Sequence, residues 1–389
     1  MHAYGGGTAR RDEPFRAFVS MHVDAGRGVV GAALQFVVMQ TLQLPSLDES
    51  NVQRVVAGLR PCRRGGLRLE REDVSLSGRS KTVVHNYGHG GCGITIGFGT
   101  ASVAVDRVCE VLGVEAHDAQ DIAQRDAERH RTVSIAVLGA GVAGLTTARE
   151  LLRRGFAVTV YASRFANDTT SGVAGALWLP TDVEFGQTAA EVARMREILH
   201  RARRAFASLD RHAWGVERLP VYETDNSPYC EKFFNNGTID PPTPLDRLPL
   251  PGEAPRGHVF ETDYIHTPRF LRALRADVER SGARFVERTF DSIDEIVALG
   301  EPVVVNCLGL GARELFDDDA VYPARGVLVH MRPQRLGYIL QSAPYRYIFP
   351  REDALILGGC FDENVWDDQP DERIAREILE YHQHFFEQL

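Results

Sequence analysis

No apolar stretch in the 389 residues reaches the roughly 20 that a membrane span needs; the best, 29–44, is interrupted by Gln35, Gln40 and Gln43. The N-terminus shows no charged start, apolar middle and small-residue cleavage site, so no secretory signal is read there. Cys62, Cys92, Cys109, Cys230, Cys307 and Cys360 lie far apart and form no CxxC pair. Their spacing argues against a zinc ribbon and a disulfide framework and for a reducing, cytoplasmic compartment. Lysine occurs only as Lys81 and Lys232 while arginine abounds, a matter of genome composition rather than chemistry. The formal charge of −9 provides no general field for nucleic acid or anionic lipid. With 44% apolar and 25% charged residues, neither disorder nor a fibrous fold fits. What remains is a soluble intracellular chain of two or three interlocked domains.

The most informative stretch is central. Residues 133–138 are a β-rich run, 140–154 follow a helical period and 157–161 are a second β-rich run, which together predict a βαβ unit. Between the first strand and the helix stands Gly139-Ala140-Gly141-Val142-Ala143-Gly144, a GxGxxG loop. Its first glycine allows a tight turn, its second lets backbone approach a pyrophosphate, and its third lets helix pack on strand. The helix N-terminus adds unpaired N–H groups and partial positive charge for phosphates. The acidic ribose ligand usual after the second strand is missing, since Tyr161-Ala162-Ser163-Arg164 stands there. Arg164 suits a 2′-phosphate, an adenine face or a flavin phosphate equally, so this motif leaves FAD and NAD(P) both open.

Around this unit the pattern predicts a small-residue helix at 93–112, amphipathic helices at 189–207 and 267–281, and a helix at 371–389. Short buried strands are expected at 82–84 and 302–306, and the alternation of Leu67 and Leu69 suggests a strand after a turn. Residues 115–131 read as a solvated linker, and 29–44 as one packed helix.

Several segments resemble the FAD-dependent D-amino-acid oxidases: YASRFANDTTSGVAGALWLP at 161–180, VVVNCLGLGAREL at 303–315, YIFPREDALILGG at 347–359, and GLRPCRRGGLRLE at 58–70 with HNYGHGGCGITIGFGT at 85–100. The resemblance implies an α/β chain: a Rossmann-like FAD-binding domain with a second, α+β substrate domain. The order departs from the family, in which the glycine loop opens the chain and RPxR followed by HNYGHGG closes it. A circular permutation is expected, with old termini joined through about 113–131; the rival is the tail of one gene copy fused to the head of another. The implied division is an extension without family counterpart at 1–44, an FAD-binding part at 45–183 and a substrate part at 184–300. An FAD-domain return strand at 301–326, substrate-domain strands at 327–350, and a return strand with terminal helix at 351–389 complete it.

The same resemblance assigns roles. The second arginine of Arg60-Pro61-Cys62-Arg63 is the expected substrate-carboxylate clamp, because a guanidinium fork pairs with both oxygens; that is Arg63, assisted by the hydroxyl of Tyr347. FAD is expected on Gly139, Ala140, Gly141, Val142, Ala143 and Gly144, on Ser163 and Arg164, on Thr169, Thr170 and Ser171, and on Gly90, Gly91, Cys92, Gly93, Ile94 and Thr95. No metal is expected, since His85 and His89 have no further ligand at suitable spacing. Ala343 and Phe361 stand where relatives carry a second active-site hydroxyl, with Tyr345 or a residue of the N-terminal extension as substitute. The implied reaction is oxidative deamination of D-amino acids by hydride transfer to flavin, giving 2-oxo acid, ammonia and hydrogen peroxide. A narrower enzyme for D-aspartate, glycine or a pathway-specific amino acid and an inactive flavin-binding remnant are the other readings. The partners implied are a small amino acid and oxygen, without nucleic acid or membrane, and a homodimer is compatible with this.

Overall fold

The computed structural model describes residues 41–76, 78–114, 133–181, 183–184, 186–226, 234 and 236–389. The linker expected at 115–131 lies outside these residues, as does the helix expected at 29–44 except for 41–44, which have no regular structure.

Two sheets organise the chain. The larger contains β1 (Val52–Arg63), β6 (Ala176–Leu177), β7 (Val216–Thr224), β8 (Thr243–Leu245), β9 (Gly257–Ile265), β12 (Val321–Met331), β13 (Ile339–Ala343), β14 (Arg346–Arg351), β15 (Ala354–Gly358) and β16 (Asp362–Glu363). Its order is β1-β12-β15-β14-β13-β7-β9-β6, with β16 on β12 and β8 on β9. The smaller sheet runs β10 (Arg284–Glu287), β5 (Ala157–Phe165), β4 (Ser134–Ala140), β11 (Val303–Asn306), β3 (Arg79–His85), β2 (Arg71–Leu76). All of its pairs are parallel except β2 with β3. Its central strands are buried on both faces and read accordingly as unbroken apolar runs, Ile135 to Leu138 and Val303 to Val305.

Among the described residues the five longest helices cover the sheets: α1 (Gly93–Leu112), α2 (Val142–Arg153), α3 (Ala189–Ala207), α4 (Thr267–Arg280) and α5 (Glu372–Glu387). α1 passes close to its neighbours because its contact face is small; a Cβ on Gly99 would lie 2.0 Å from the Ile198 carbonyl oxygen of α3. One large core joins α1, α2, α3 and α4 to the sheets, and a second fills the space between the larger sheet and α5. No helix among the described residues is long and apolar enough to cross a membrane.

Two expectations change. Residues 67–70 are not a strand; Arg68 makes only an isolated bridge to Tyr87, because positive-φ turns at Gly65 and Gly66 delay regular pairing until Arg71. The expected division by residue number also does not follow the sheets. β1 lies in the larger sheet, paired along its length with β12, and β10 lies in the smaller.

Among the described residues, burial pushes His85, His89 and His382 down to about 4 and His330 to about 3. Their unfolded value is near 6.5, so the unfolded chain binds more protons through this window, and stability is full above about pH 6.5 and lost as pH falls toward 4. Linkage puts the loss on the order of 1–2 kcal/mol per histidine by about pH 5. Calorimetry should therefore show Tm falling steeply between about pH 7 and about pH 5; a flat profile would contradict the burial.

Candidate active site

β4 ends in the glycine loop, and the loop turns directly into α2. Gly139 has φ of +99°, and a Cβ there would lie 2.5 Å from the Cys307 carbonyl oxygen after β11. Gly144 sits so close to the loop that its Cβ would be 1.9 Å from the Gly139 carbonyl oxygen. Gly141 is also close to its surroundings, a Cβ there lying 3.3 Å from Ser171 Oγ, and it lines a cavity of about 750 Å3 that runs between the two sheets, a size typical of small-molecule and cofactor sites. Ser171 closes the loop from the other side, its hydroxyl accepting from the Val142 N–H at 3.2 Å.

The same cavity is lined by Ala140, Val142, Ala143, Ser163, Arg164, Thr169 and Thr170, and by Gly91, Cys92, Gly93, Ile94 and Thr95 at the start of α1. Gly90 and Gly144 are not in its wall; Gly90 donates its N–H to the Pro61 carbonyl at 3.1 Å, and Gly144 packs helix on strand. Asn86 borders the cavity and is fully buried. Its Nδ2 donates to Thr147 Oγ1 at 3.0 Å, and that hydroxyl gives its own proton to the Ala143 carbonyl at 2.7 Å. The amide orientation is thereby fixed, and among the described residues Asn86 Oδ1 is left as a buried acceptor without a partner. Such a group costs about 1–3 kcal/mol unless something supplies a donor. A hydroxyl- and amide-bearing dinucleotide would supply one, so glycine cradle and orphan acceptor together fit such a ligand.

At the other end the wall is built by β1, β12, β13 and β14. Arg60 lies in it, threaded past two glycines: a Cβ on Gly326 would lie 2.6 Å from Arg60 Nη1, and one on Gly91 2.9 Å from Arg60 Cδ. Its guanidinium donates to the Cys360 carbonyl at 3.1 Å and stacks over Phe361 at 5.3 Å. Among the described residues no carboxylate pairs with it. Tyr347 lines the cavity from β14, its ring stacked on Phe349 at 4.3 Å and lying over Gly358, where a Cβ would be 2.0 Å from Cζ. Ala343, Gln341 and Tyr345 complete this end, and Tyr345 stacks on Phe361. Phe361 thus stacks with both a guanidinium and a phenol.

Arg63 is the main correction. Its side chain is absent from the cavity wall; Nε pairs with Asp318 Oδ2 at 2.8 Å and Nη1 faces the Gly66 carbonyl at 3.3 Å. The reason is strand geometry: side chains alternate along β1, so residues three apart point to opposite faces. Arg63 belongs to a polar knot in which the Tyr87 hydroxyl donates to Asp318 at 2.7 Å and Arg68 bridges Tyr87 and Glu72. The neighbouring guanidinium holds the Asp318 carboxyl below its ordinary range against the opposing effect of burial. His85 is in the same layer, bonded to Glu72 at 2.8 Å and Asn306 at 3.2 Å, and His89 is bonded to Thr100 at 3.0 Å. Among the described residues no group of three or more His, Cys, Asp or Glu could hold a metal. Sequence reasoning also missed Asn86, Arg288, Asp291 and Glu314, which line the cavity. Of these, Asn86 lies inside the HNYGHGG motif, a local signal that could have found it.

The sequence model of the FAD dependent oxidoreductase family matches residues 134–389, that is, from β4 to the end of the chain. A D-amino-acid oxidase of Streptomyces coelicolor is 30% identical over 276 residues, covering 66% of this chain and 78% of that protein. Human D-aspartate oxidase is 28% identical over 258 residues, covering 64% and 74%. Among solved structures, glycine oxidase from Bacillus cereus superposes with a TM-score of 0.50 at 16% identity, covering 65% of this chain and 79% of that one.

Proposed function

This chain belongs to the family of FAD dependent oxidoreductases, and on that premise we propose that it oxidises neutral D-amino acids to 2-oxo acids, with oxygen consumed and ammonia and hydrogen peroxide released. FAD is its cofactor. The glycine loop, the hydroxyls of Thr169, Thr170 and Ser171 and the 91–95 turn would hold it, with Asn86 Oδ1 accepting one of its donors. When bound, FAD supplies the two-electron acceptor for the hydrogen on the substrate Cα. The protein's own part is to bind and orient. Arg60 offers two parallel N–H donors to the substrate carboxylate, Tyr347 adds a hydroxyl, and a substrate held at both points presents its Cα in one geometry.

The observation that carries this reading is Arg60, a guanidinium in the cavity wall with no carboxylate partner among the described residues. Neutral side chains are favoured because, among the described residues, no second cation lines this end of the cavity. Arg351 is buried against Asp353 at 2.5 Å, and Arg346 donates to the Gly359 carbonyl while stacking on Tyr381. The test is anaerobic mixing of the yellow holoenzyme with a panel of D- and L-amino acids. Bleaching by neutral D-enantiomers, and peroxide on readmitting air, is expected; flavin that stays oxidised with every D-amino acid would refute the proposal.

Segment order supports a circular permutation as part of the same reading. β1, β2 and β3, encoded before the glycine loop, complete both sheets, and Gln383 Nε2 of α5 donates to the Leu47 carbonyl just before β1 at 2.8 Å. A chain reordered to run 134–389 and then 41–114 through a short linker should fold and retain FAD, because permutation is tolerated where ends lie close together. A reordered chain that is soluble but takes up no FAD would count against it.

A further inference from the structure

Three consecutive carbonyl oxygens, those of Gly358, Gly359 and Cys360, each receive a side-chain donor from a different element. His382 Nε2 of α5 reaches Gly358 O at 3.1 Å, Arg346 of β14 reaches Gly359 O, and Arg60 of β1 reaches Cys360 O at 3.1 Å. The segment so held is the seat of both groups that face the substrate end of the cavity. The Tyr347 ring rests on Gly358 with its hydroxyl 3.4 Å from where a Gly359 Cβ would stand, and Arg60 is anchored one residue further on. We propose that His382 is a positioning residue of this active site, fixing through the Gly358 carbonyl the strand end on which Tyr347 and Arg60 are aligned. The proposal rests on the reading of Arg60 and Tyr347 as the carboxylate-binding pair.

The chemistry of His382 suits this task and no other nearby. It is fully buried, and its Nδ1 has no partner among the described residues. Burial pushes it down to about 4. It therefore stays neutral at working pH with its one proton on Nε2, a fixed donor rather than a titrating group. Nor is it alone: the Tyr381 ring beside it, edge-on at 5.4 Å, carries the Arg346 guanidinium at 5.3 Å. α5 thus controls two of the three carbonyls, although it contributes nothing to the cavity wall. Misplacing a binding group by about 1 Å is enough to cost roughly 100-fold in rate, so a strand end held this tightly has a functional reading beyond packing.

The experiment uses the FAD-loaded enzyme and benzoate as a carboxylate probe, with Kd read from the perturbation of flavin absorbance, alongside KM, kcat and FAD affinity. His382→Leu should raise benzoate Kd and substrate KM by about tenfold, the worth of one buried hydrogen bond. kcat and FAD affinity should change far less. His382→Gln, which keeps an N–H in reach, should restore binding to within about threefold. Should His382→Leu fail to fold, Arg346→Met removes the neighbouring donor and should carry the same signature. Benzoate affinity unchanged in His382→Leu, a glutamine variant as weak as the leucine one, or Arg346→Met without effect would each overturn the proposal. Arg60→Ala run in parallel separates the two levels. If it leaves benzoate affinity intact, the carboxylate-pair reading falls and this proposal with it; if it weakens binding while His382→Leu does not, only the positioning role falls.

Discussion

Arg60→Ala should lower kcat/KM for a neutral D-amino acid by about 100- to 1,000-fold while the enzyme keeps its flavin. Two charge-assisted N–H···O bonds to a carboxylate are together worth about 3–4 kcal/mol, and each 1.4 kcal/mol is a factor of ten. Arg60→Lys should recover only part of this, because an ammonium offers a point charge without the planar fork. The paired control is Arg63→Ala. It leaves Asp318, whose side chain is 6% exposed, with the Tyr87 hydroxyl at 2.7 Å, the Ala320 N–H at 3.2 Å and Arg68 at 3.9 Å. That change should cost on the order of 2–3 kcal/mol of stability, below the range for fully buried pairs because Arg63 itself is partly exposed, and leave kinetics per folded enzyme near normal. Steady-state kinetics with flavin content and Tm on both variants decide the matter. Normal kinetics in Arg60→Ala, or a collapse in Arg63→Ala at full stability, would restore the assignment that the RPxR resemblance first suggested.

Gly144→Ala should yield a protein that no longer retains FAD. The added methyl would stand 1.9 Å from the Gly139 carbonyl oxygen and 2.8 Å from its carbon, both backbone atoms that cannot swing aside. Either α2 withdraws from β4, which misaligns its first N–H groups with the phosphate position, or the Gly139 turn opens. Overpacking of this kind costs about 1–3 kcal/mol in stability, but a cradle distorted by about 1 Å loses far more in affinity. Gly300→Ala is the matched control, since nothing lies within 4 Å of its Cβ position. The ratio of flavin to protein absorbance after purification, followed by FAD titration, reads the effect. A Gly144→Ala enzyme with full flavin and unchanged Tm would remove the close-packing role of this glycine.

What could be read before the coordinates divides along a physical line. The βαβ unit, α1, α3 and α4 were legible because their periods and breakers are local. The cavity end at 91–95 was legible because a motif carries its own backbone. The proposed clamp was half legible. RPxR marked the right strand, but choosing its second arginine overlooked the two-residue alternation that sets Arg60 and Arg63 on opposite faces. What captures Arg63 is Asp318, far along the chain, and no local pattern announces such a partner. The same holds for Gly326, needed because Arg60 lies against it, and for His382, needed because Gly358 lies beneath Tyr347. These roles exist only once distant segments meet.

The pairing of β1 with β12, register Arg60 opposite Ala324, has a consequence for biogenesis. A ribosome releases the early strand long before its mate is made, and β3 likewise waits for β11. Non-local pairing of this sort slows folding and leaves hydrogen-bonding edges uncovered on the nascent polypeptide. Chaperone supply and slow translation should therefore govern the yield of this enzyme more than its final stability does, and stalled chains ending before residue 321 should be readily proteolysed within 52–63.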